Sequence, residues 1–127
     1  MKAKLLPTVI ALTACAVLAV PGIASAKPAK TAVTIKYNGD GFEGTVHSKK
    51  PGRCANNREI VVYKQSGGSQ SPSNDQSLFS DISGKQGNRY TWNTGTSGQA
   101  DPGKYYARAA RITGCRAGSS ATLKIVL

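Results

Sequence analysis

Arg58-Glu59-Ile60-Val61-Val62-Tyr63-Lys64, near the middle of the 127-residue chain, is a β-branched run that is apolar on both faces at its centre. Such side chains lose rotamer freedom in a helix and pack well on a pleated surface, so the run reads as a strand. Outward from it, apolar residues recur with a period of two rather than 3.6. Upstream, Val33, Ile35 and Tyr37 alternate with Thr34 and Lys36, and Phe42, Gly44 and Val46 alternate with Glu43, Thr45 and His47. Downstream come a weaker strand (Leu78, Ser80, Ile82), then Tyr90 and Trp92, then Tyr105, Ala107 and Ala109, and finally Ala121, Leu123 and Ile125. Seven strands are expected.

Turn-formers separate them: Asn38-Gly39-Asp40-Gly41, Pro51-Gly52, Gly67-Gly68, Ser83-Gly84 and Pro102-Gly103. No window carries an amphipathic helix. Gln65 to Gln76 is a polar, low-complexity loop with nothing obvious to give a core. Short strands at this spacing argue an all-β, two-sheet sandwich.

The first 26 residues have a different character. Lys2 and Lys4 precede an apolar run from Leu5 to Val20, Pro21-Gly22 breaks it, and Ala24-Ser25-Ala26 offers the small residues of a cleavage site. That is the pattern of a secretory signal peptide over residues 1–26. A membrane anchor is disfavoured because the run is short and interrupted by Pro7 and Pro21. The minor alternative is a lipoprotein, because Leu12-Thr13-Ala14-Cys15 looks like a lipobox. Against it, Ala16 to Val20 stay apolar where a polar tether is usual. The expected mature domain is residues 27–127, with a loose lead-in at 27–30, secreted to the cell exterior or a periplasm.

Cleavage removes two lysines and no acid from a net charge of +11, leaving +9. About one hundred residues suffice for a single small domain. Three cysteines become two, Cys54 and Cys115, and an even pair in a small secreted domain reads as one disulfide.

Two stretches carry a resemblance. Gly87-Asn88-Arg89-Tyr90-Thr91-Trp92, then Asp101-Pro102-Gly103-Lys104-Tyr105-Tyr106-Ala107, resemble the G-x-Y-x-W/F … P-G-x-Y-x-A/V signature of transthyretin-like domains. These are also called prealbumin-like or carboxypeptidase regulatory-like. Phe42 to Val46 resembles their opening strand. Cys54, Arg58 to Tyr63 and Gly114-Cys115-Arg116 look like a subgroup of small secreted bacterial proteins of unassigned function. The resemblance spans most of residues 31–127. It implies a seven-stranded Greek-key β-sandwich of immunoglobulin/prealbumin-like type, and non-catalytic roles in adhesion, docking or support of an enzyme.

If consecutive strands alternate in direction, Cys54 (second connection) and Cys115 (sixth connection) fall at one end of the sandwich, where a bridge is within reach. The competing readings are a metal site, for which only His47 could join the two thiols, and a catalytic cysteine. Six acids and one histidine remain for acid–base chemistry. Asp40, Asp75 and Asp101 sit in turn contexts, where aspartate bonds its own backbone. Glu43, Glu59 and Asp81 fall at outward or edge positions, and His47 is expected to face solvent at a strand end. No nucleophile elbow, P-loop, dinucleotide fingerprint or Ca²⁺ loop is present. An isopeptide to the last strand lacks its Asn or Asp there. The expectation is no enzyme, no cofactor and no metal.

The charge is the remaining signal. Lys49, Lys50, Arg53, Arg58, Arg111 and Arg116 fall in or beside the two cysteine loops, and the turn bearing Lys85 and Arg89 is expected at the same end. A focused positive field favours anionic envelope polymers or surfaces; the bland reading is a solvated, solubilising face. Nucleic acid is disfavoured, since Tyr63, Tyr90, Trp92 and Tyr105 are better placed as core than as a stacking platform. Tyr106 and Arg108 alternate onto the opposite face as surface contacts. The leading expectation is a secreted, non-catalytic binding or accessory module. The alternative is a small cationic inhibitor or effector acting on another protein, with a small hydrolase third.

Overall fold

A computed structural model of the chain describes residues 27–96 and 100–126. The expected signal peptide, residues 1–26 with Cys15, lies outside them. In chain order the elements are β1 (Ala32–Val33), β2 (Lys36–Tyr37), β3 (Phe42–His47), a single helical turn α1 (Pro51–Cys54), β4 (Glu59–Gln65), β5 (Gln76–Ile82), β6 (Gly84–Gln86), β7 (Arg89–Asn93), β8 (Gly103–Ala109), β9 (Gly118–Ser119) and β10 (Leu123–Ile125).

They form two five-stranded antiparallel sheets packed face to face. One runs β1-β3-β7-β6, with β2 also on β3; the other runs β10-β8-β4-β5, with β9 also on β8. The strands outnumber the expectation because the first and last expected strands are each interrupted, and because β6 was not foreseen. β5 ends at Ile82, and the chain then crosses between sheets at Ser83 to pair β6 with β7. α1 is also unanticipated: four residues hold too little periodicity to register as a helix.

The period-two reading predicts the core well. Val33, Phe42, Val46, Ile60, Val62, Trp92, Tyr105, Ala107 and Ala109 form one buried cluster between the sheets. Phe42 centres an aromatic group, its ring 5.1 Å from Tyr105 and 5.2 Å from Tyr37. Burying each large side chain is worth roughly 1.5–3 kcal/mol. Trp92 lies directly opposite Gly44 in the β3–β7 ladder. With no side chain at Gly44, the indole crosses β3 and donates to the Thr34 carbonyl at 3.2 Å, where β1 gives way to β2.

β5 departs from the expected Leu78/Ser80/Ile82 face. Its register against β4 shifts between Val62 and Tyr63, so that Val62 opposes Phe79 and Tyr63 opposes Ser77. This irregularity brings Phe79 to 6.3 Å from Phe42, while Ile82 stays half exposed.

The outer face of the second sheet holds three corrections, the first being Tyr63, expected in the core but placed by alternation on the face opposite inward Val62. Tyr106 was expected at the surface but is completely buried, stacked on Tyr63 at 5.2 Å. What covers it is the polar 65–76 loop, expected to contribute nothing. Asp75 anchors that loop, accepting from the Ser66 amide and hydroxyl (2.9 Å each), the Ser71 amide (2.8 Å) and the Tyr106 hydroxyl (2.6 Å). With these donors, led by the Tyr106 hydroxyl, the Asp75 carboxyl is held well below the usual carboxylate range, and burial first and Asp75 second push the Tyr106 phenol up. Polar composition marked the loop as a surface element; it could not show that its one acid meets a tyrosine from β8.

Candidate anion-binding surface

The connection after β3 and the connection after β8 meet at the Cys54–Cys115 disulfide, with Cα atoms 5.5 Å apart and both cysteines fully buried. On one side, Lys50 and Pro51 open α1, and the Cys54 amide donates to the Lys50 carbonyl at 2.8 Å. On the other, Ile112 and Cys115 exchange backbone hydrogen bonds of 3.2 and 3.0 Å across a tight turn. Gly114 sits in that turn at φ 81°, a conformation that suits glycine. The Arg53 side chain lies over it, so close that a Cβ at Gly114 would sit 3.0 Å from Arg53 Nε.

A third segment joins this end. Ala29 donates to the Gly114 carbonyl at 3.0 Å and accepts from the Arg116 amide at 2.8 Å, forming a parallel bridge beside Cys115. The 27–30 lead-in, expected to be loose, is thus hydrogen-bonded at its centre, and it carries exposed Lys27 and Lys30 to the disulfide.

Arg58 is the principal correction to the expected site. It is 1 % exposed and faces no solvent anion. Its Nη1 donates to Thr31 Oγ1 (3.0 Å) and the Cys54 carbonyl (2.8 Å), and its Nη2 to the Ala110 and Arg116 carbonyls (2.7 and 3.3 Å). No carboxylate is among these partners, and burial draws its pKa down from the ordinary arginine value. Its backbone is held as well: its amide donates to Ser83 Oγ, and its carbonyl accepts from the Ser83 amide. One side chain therefore fastens the N-terminal segment, α1 and both flanks of the 111–116 loop. The signal was legible. Arg58 is two residues before inward Ile60 and shares its face, but arginine's charge suggested the surface.

Lys49, Lys50, Arg53, Arg111 and Arg116 are all exposed, as expected for the cluster. Among the described residues none of them forms an ion pair. The β6–β7 turn contributes Lys85 and Arg89 at the end where β3 finishes, because Tyr90 pairs with Val46 and Lys85 with Tyr90. Asp40, Asp75 and Asp101 occupy the opposite end, in the connections before β3, before β5 and before β8. Glu59, exposed at the start of β4, is the acid nearest the disulfide in sequence. Lys36, Lys64, Lys104 and Lys124 stand at that opposite end as well and balance its acids, while Asp81, opposite Ile60, joins Glu59 toward the disulfide end; the excess positive charge therefore lies at the disulfide end.

Elsewhere, a concavity of about 820 Å³ lies on the outer face of the first sheet, lined by residues that include Thr34, Thr45, Arg89, Thr91, Asp40 and Glu43. Glu43 there pairs with Lys36 at 3.4 Å and accepts from Asn38 Nδ2 at 2.8 Å. Exposed His47 has its Nε2 3.2 Å from Thr45 Oγ1. Among the described residues no three His, Cys, Asp or Glu side chains converge as a metal site, and no helix is long and apolar enough to cross a membrane.

No family model matches the chain, and no curated protein matches it either.

Proposed function

We propose that this is a secreted, non-catalytic binding module that engages an anionic envelope polymer or surface through its disulfide end. The observation that carries the reading is the convergence of segments 27–30, 49–54 and 111–116 on one disulfide. There their exposed lysines and arginines lack carboxylate partners. Positive charges held together on a rigid support focus field outward, whereas charges on mobile loops are screened separately. Buried Arg58 adds a fixed positive charge beneath them and prevents the loops from spreading. The disulfide itself supports an oxidising compartment and hence the signal-peptide reading of residues 1–26.

The transthyretin-like, seven-stranded Greek-key assignment belongs to the same proposal. If β1 joins β2, β5 joins β6 and β9 joins β10, the chain reduces to seven strands. The inward placement of Trp92 and Tyr105 in the two signature stretches supports it.

The test is retention of the mature protein on an anionic matrix over a salt gradient. A Lys50→Glu, Arg53→Glu, Arg116→Glu variant should elute at markedly lower salt than wild type, with the fold intact by circular dichroism. Elution at the wild-type position would overturn the reading. Arg58 is left unaltered, since its loss acts on the fold.

A further inference from the structure

The large hydrophobic side chains that face solvent among the described residues are Ile82, Ile112 and Val126. Ile112 stands on the disulfide turn itself, between Arg111 and Cys115, and is 44 % exposed. The turn is closed by its own backbone bonds, tied to α1 through Cys115, and flanked by Arg53 over Gly114. A soluble polyanion has no use for such a residue: phosphate or carboxylate groups reward the cations but leave the isoleucine in water. A lipid interface rewards both, because cations meet the headgroups while an apolar side chain enters the acyl boundary.

Resting on the anionic-binding reading, we infer that the disulfide end docks on an anionic phospholipid bilayer, with Ile112 entering the interface and Arg53, Arg111 and Arg116 contacting headgroups. The charge asymmetry orients the approach. At the far end Asp40, Glu43, Asp75 and Asp101 are balanced by Lys36, Lys64, Lys104 and Lys124, so the unbalanced positive charge that draws the protein to the surface lies at the disulfide end. The turn can present Ile112 without local unfolding, because the disulfide and the Ala29 bridge already hold its flanks. Each basic residue near an anionic surface contributes about fivefold in affinity, and partial burial of the isoleucine contributes a comparable factor.

The experiment is sedimentation of the mature protein with large vesicles of phosphatidylcholine alone or mixed with phosphatidylglycerol, beside retention on immobilised polyphosphate. Binding to the anionic vesicles only is expected. Ile112→Ser should weaken vesicle binding about fivefold and leave polyphosphate retention unchanged. Val126→Ser, beyond β10 at the opposite end, should change neither. In an Ile112→Trp variant, brominated acyl chains should quench emission beyond the quenching seen for native Trp92. Polyphosphate retention without vesicle binding overturns the lipid inference and leaves the parent reading standing. Vesicle binding indifferent to Ile112→Ser, with no added quenching, overturns insertion. Failure on both matrices overturns both readings.

Discussion

The guanidinium of Arg58 donates at 2.8 Å to the carbonyl of Cys54, the residue that carries the disulfide four positions earlier. Two fastenings of different chemistry therefore close the same end of the sandwich. The covalent one joins the 54 and 115 loops. The polar one adds Thr31, Ala110 and the Arg116 carbonyl, which the disulfide does not touch.

Replacing Arg58 should be among the most damaging single changes in the molecule. Arg58→Ala leaves the buried Cys54 carbonyl and Thr31 hydroxyl and the part-buried Ala110 and Arg116 carbonyls without this donor and opens a void, at a cost of about 3–5 kcal/mol. Arg58→Lys keeps charge but cannot span the same acceptors, and should lose about 2 kcal/mol. Denaturant midpoints at constant slope check both; a midpoint within experimental error of wild type for Arg58→Ala would refute the buried-hub role.

Removing the disulfide should cost about 4 kcal/mol by the chain-entropy relation, given a sequence separation of 61. Intact mass should rise by two hydrogens on reduction. The Cys54→Ser, Cys115→Ser protein should combine non-additively with Arg58→Lys, because the two fastenings share the Cys54 and 115–116 segments. Strict additivity in a double-mutant cycle would show that they act separately.

The Asp75 cluster sets the acid limb of stability. Its carboxyl has a folded-state pKa depressed below the ordinary value of about 4. Its contribution is therefore present above pH 4 and is lost as pH falls toward the folded pKa. Thermal melts from pH 6 to pH 2 should show a steep acid loss in wild type and a shallower one in Asp75→Asn, which is destabilised at neutral pH. By the opposite sign, the raised pKa of Tyr106 predicts stability lost as pH climbs past about 10, and Tyr106→Phe should blunt that loss. Parallel profiles for wild type and variants would remove the cluster from account.

Gly44 is the most restrictive position in the first sheet. A methyl group there would run into the Thr34 carbonyl and sit 2.8 Å from Trp92 Nε1. Gly44→Ala should destabilise by about 1–3 kcal/mol and perturb the near-ultraviolet signal of Trp92. An unperturbed signal with an unchanged melting temperature would show that β1 can move aside.

What the sequence determined by itself was the element type and most of the inward face. Alternation along β3, β7 and β8 places Phe42, Val46, Trp92 and Tyr105 correctly, because a strand's side chains must alternate whatever surrounds it, whereas β4, apolar on both faces at its centre, left its inward side to the tertiary structure. Cysteine parity likewise reached the Cys54–Cys115 bond. The tertiary structure alone decided which polar residues are surface and which are framework. Arg58, Asp75 and Tyr106 are buried because partners beyond their own strands complete their hydrogen bonds: carbonyls of Cys54, Ala110 and Arg116 for Arg58, and, for Asp75, the Ser66 and Ser71 amides of its own loop together with the Tyr106 hydroxyl from β8. Local pattern records a side chain's own polarity. Whether burying it is tolerable depends on donors and acceptors that arrive only when the chain closes on itself.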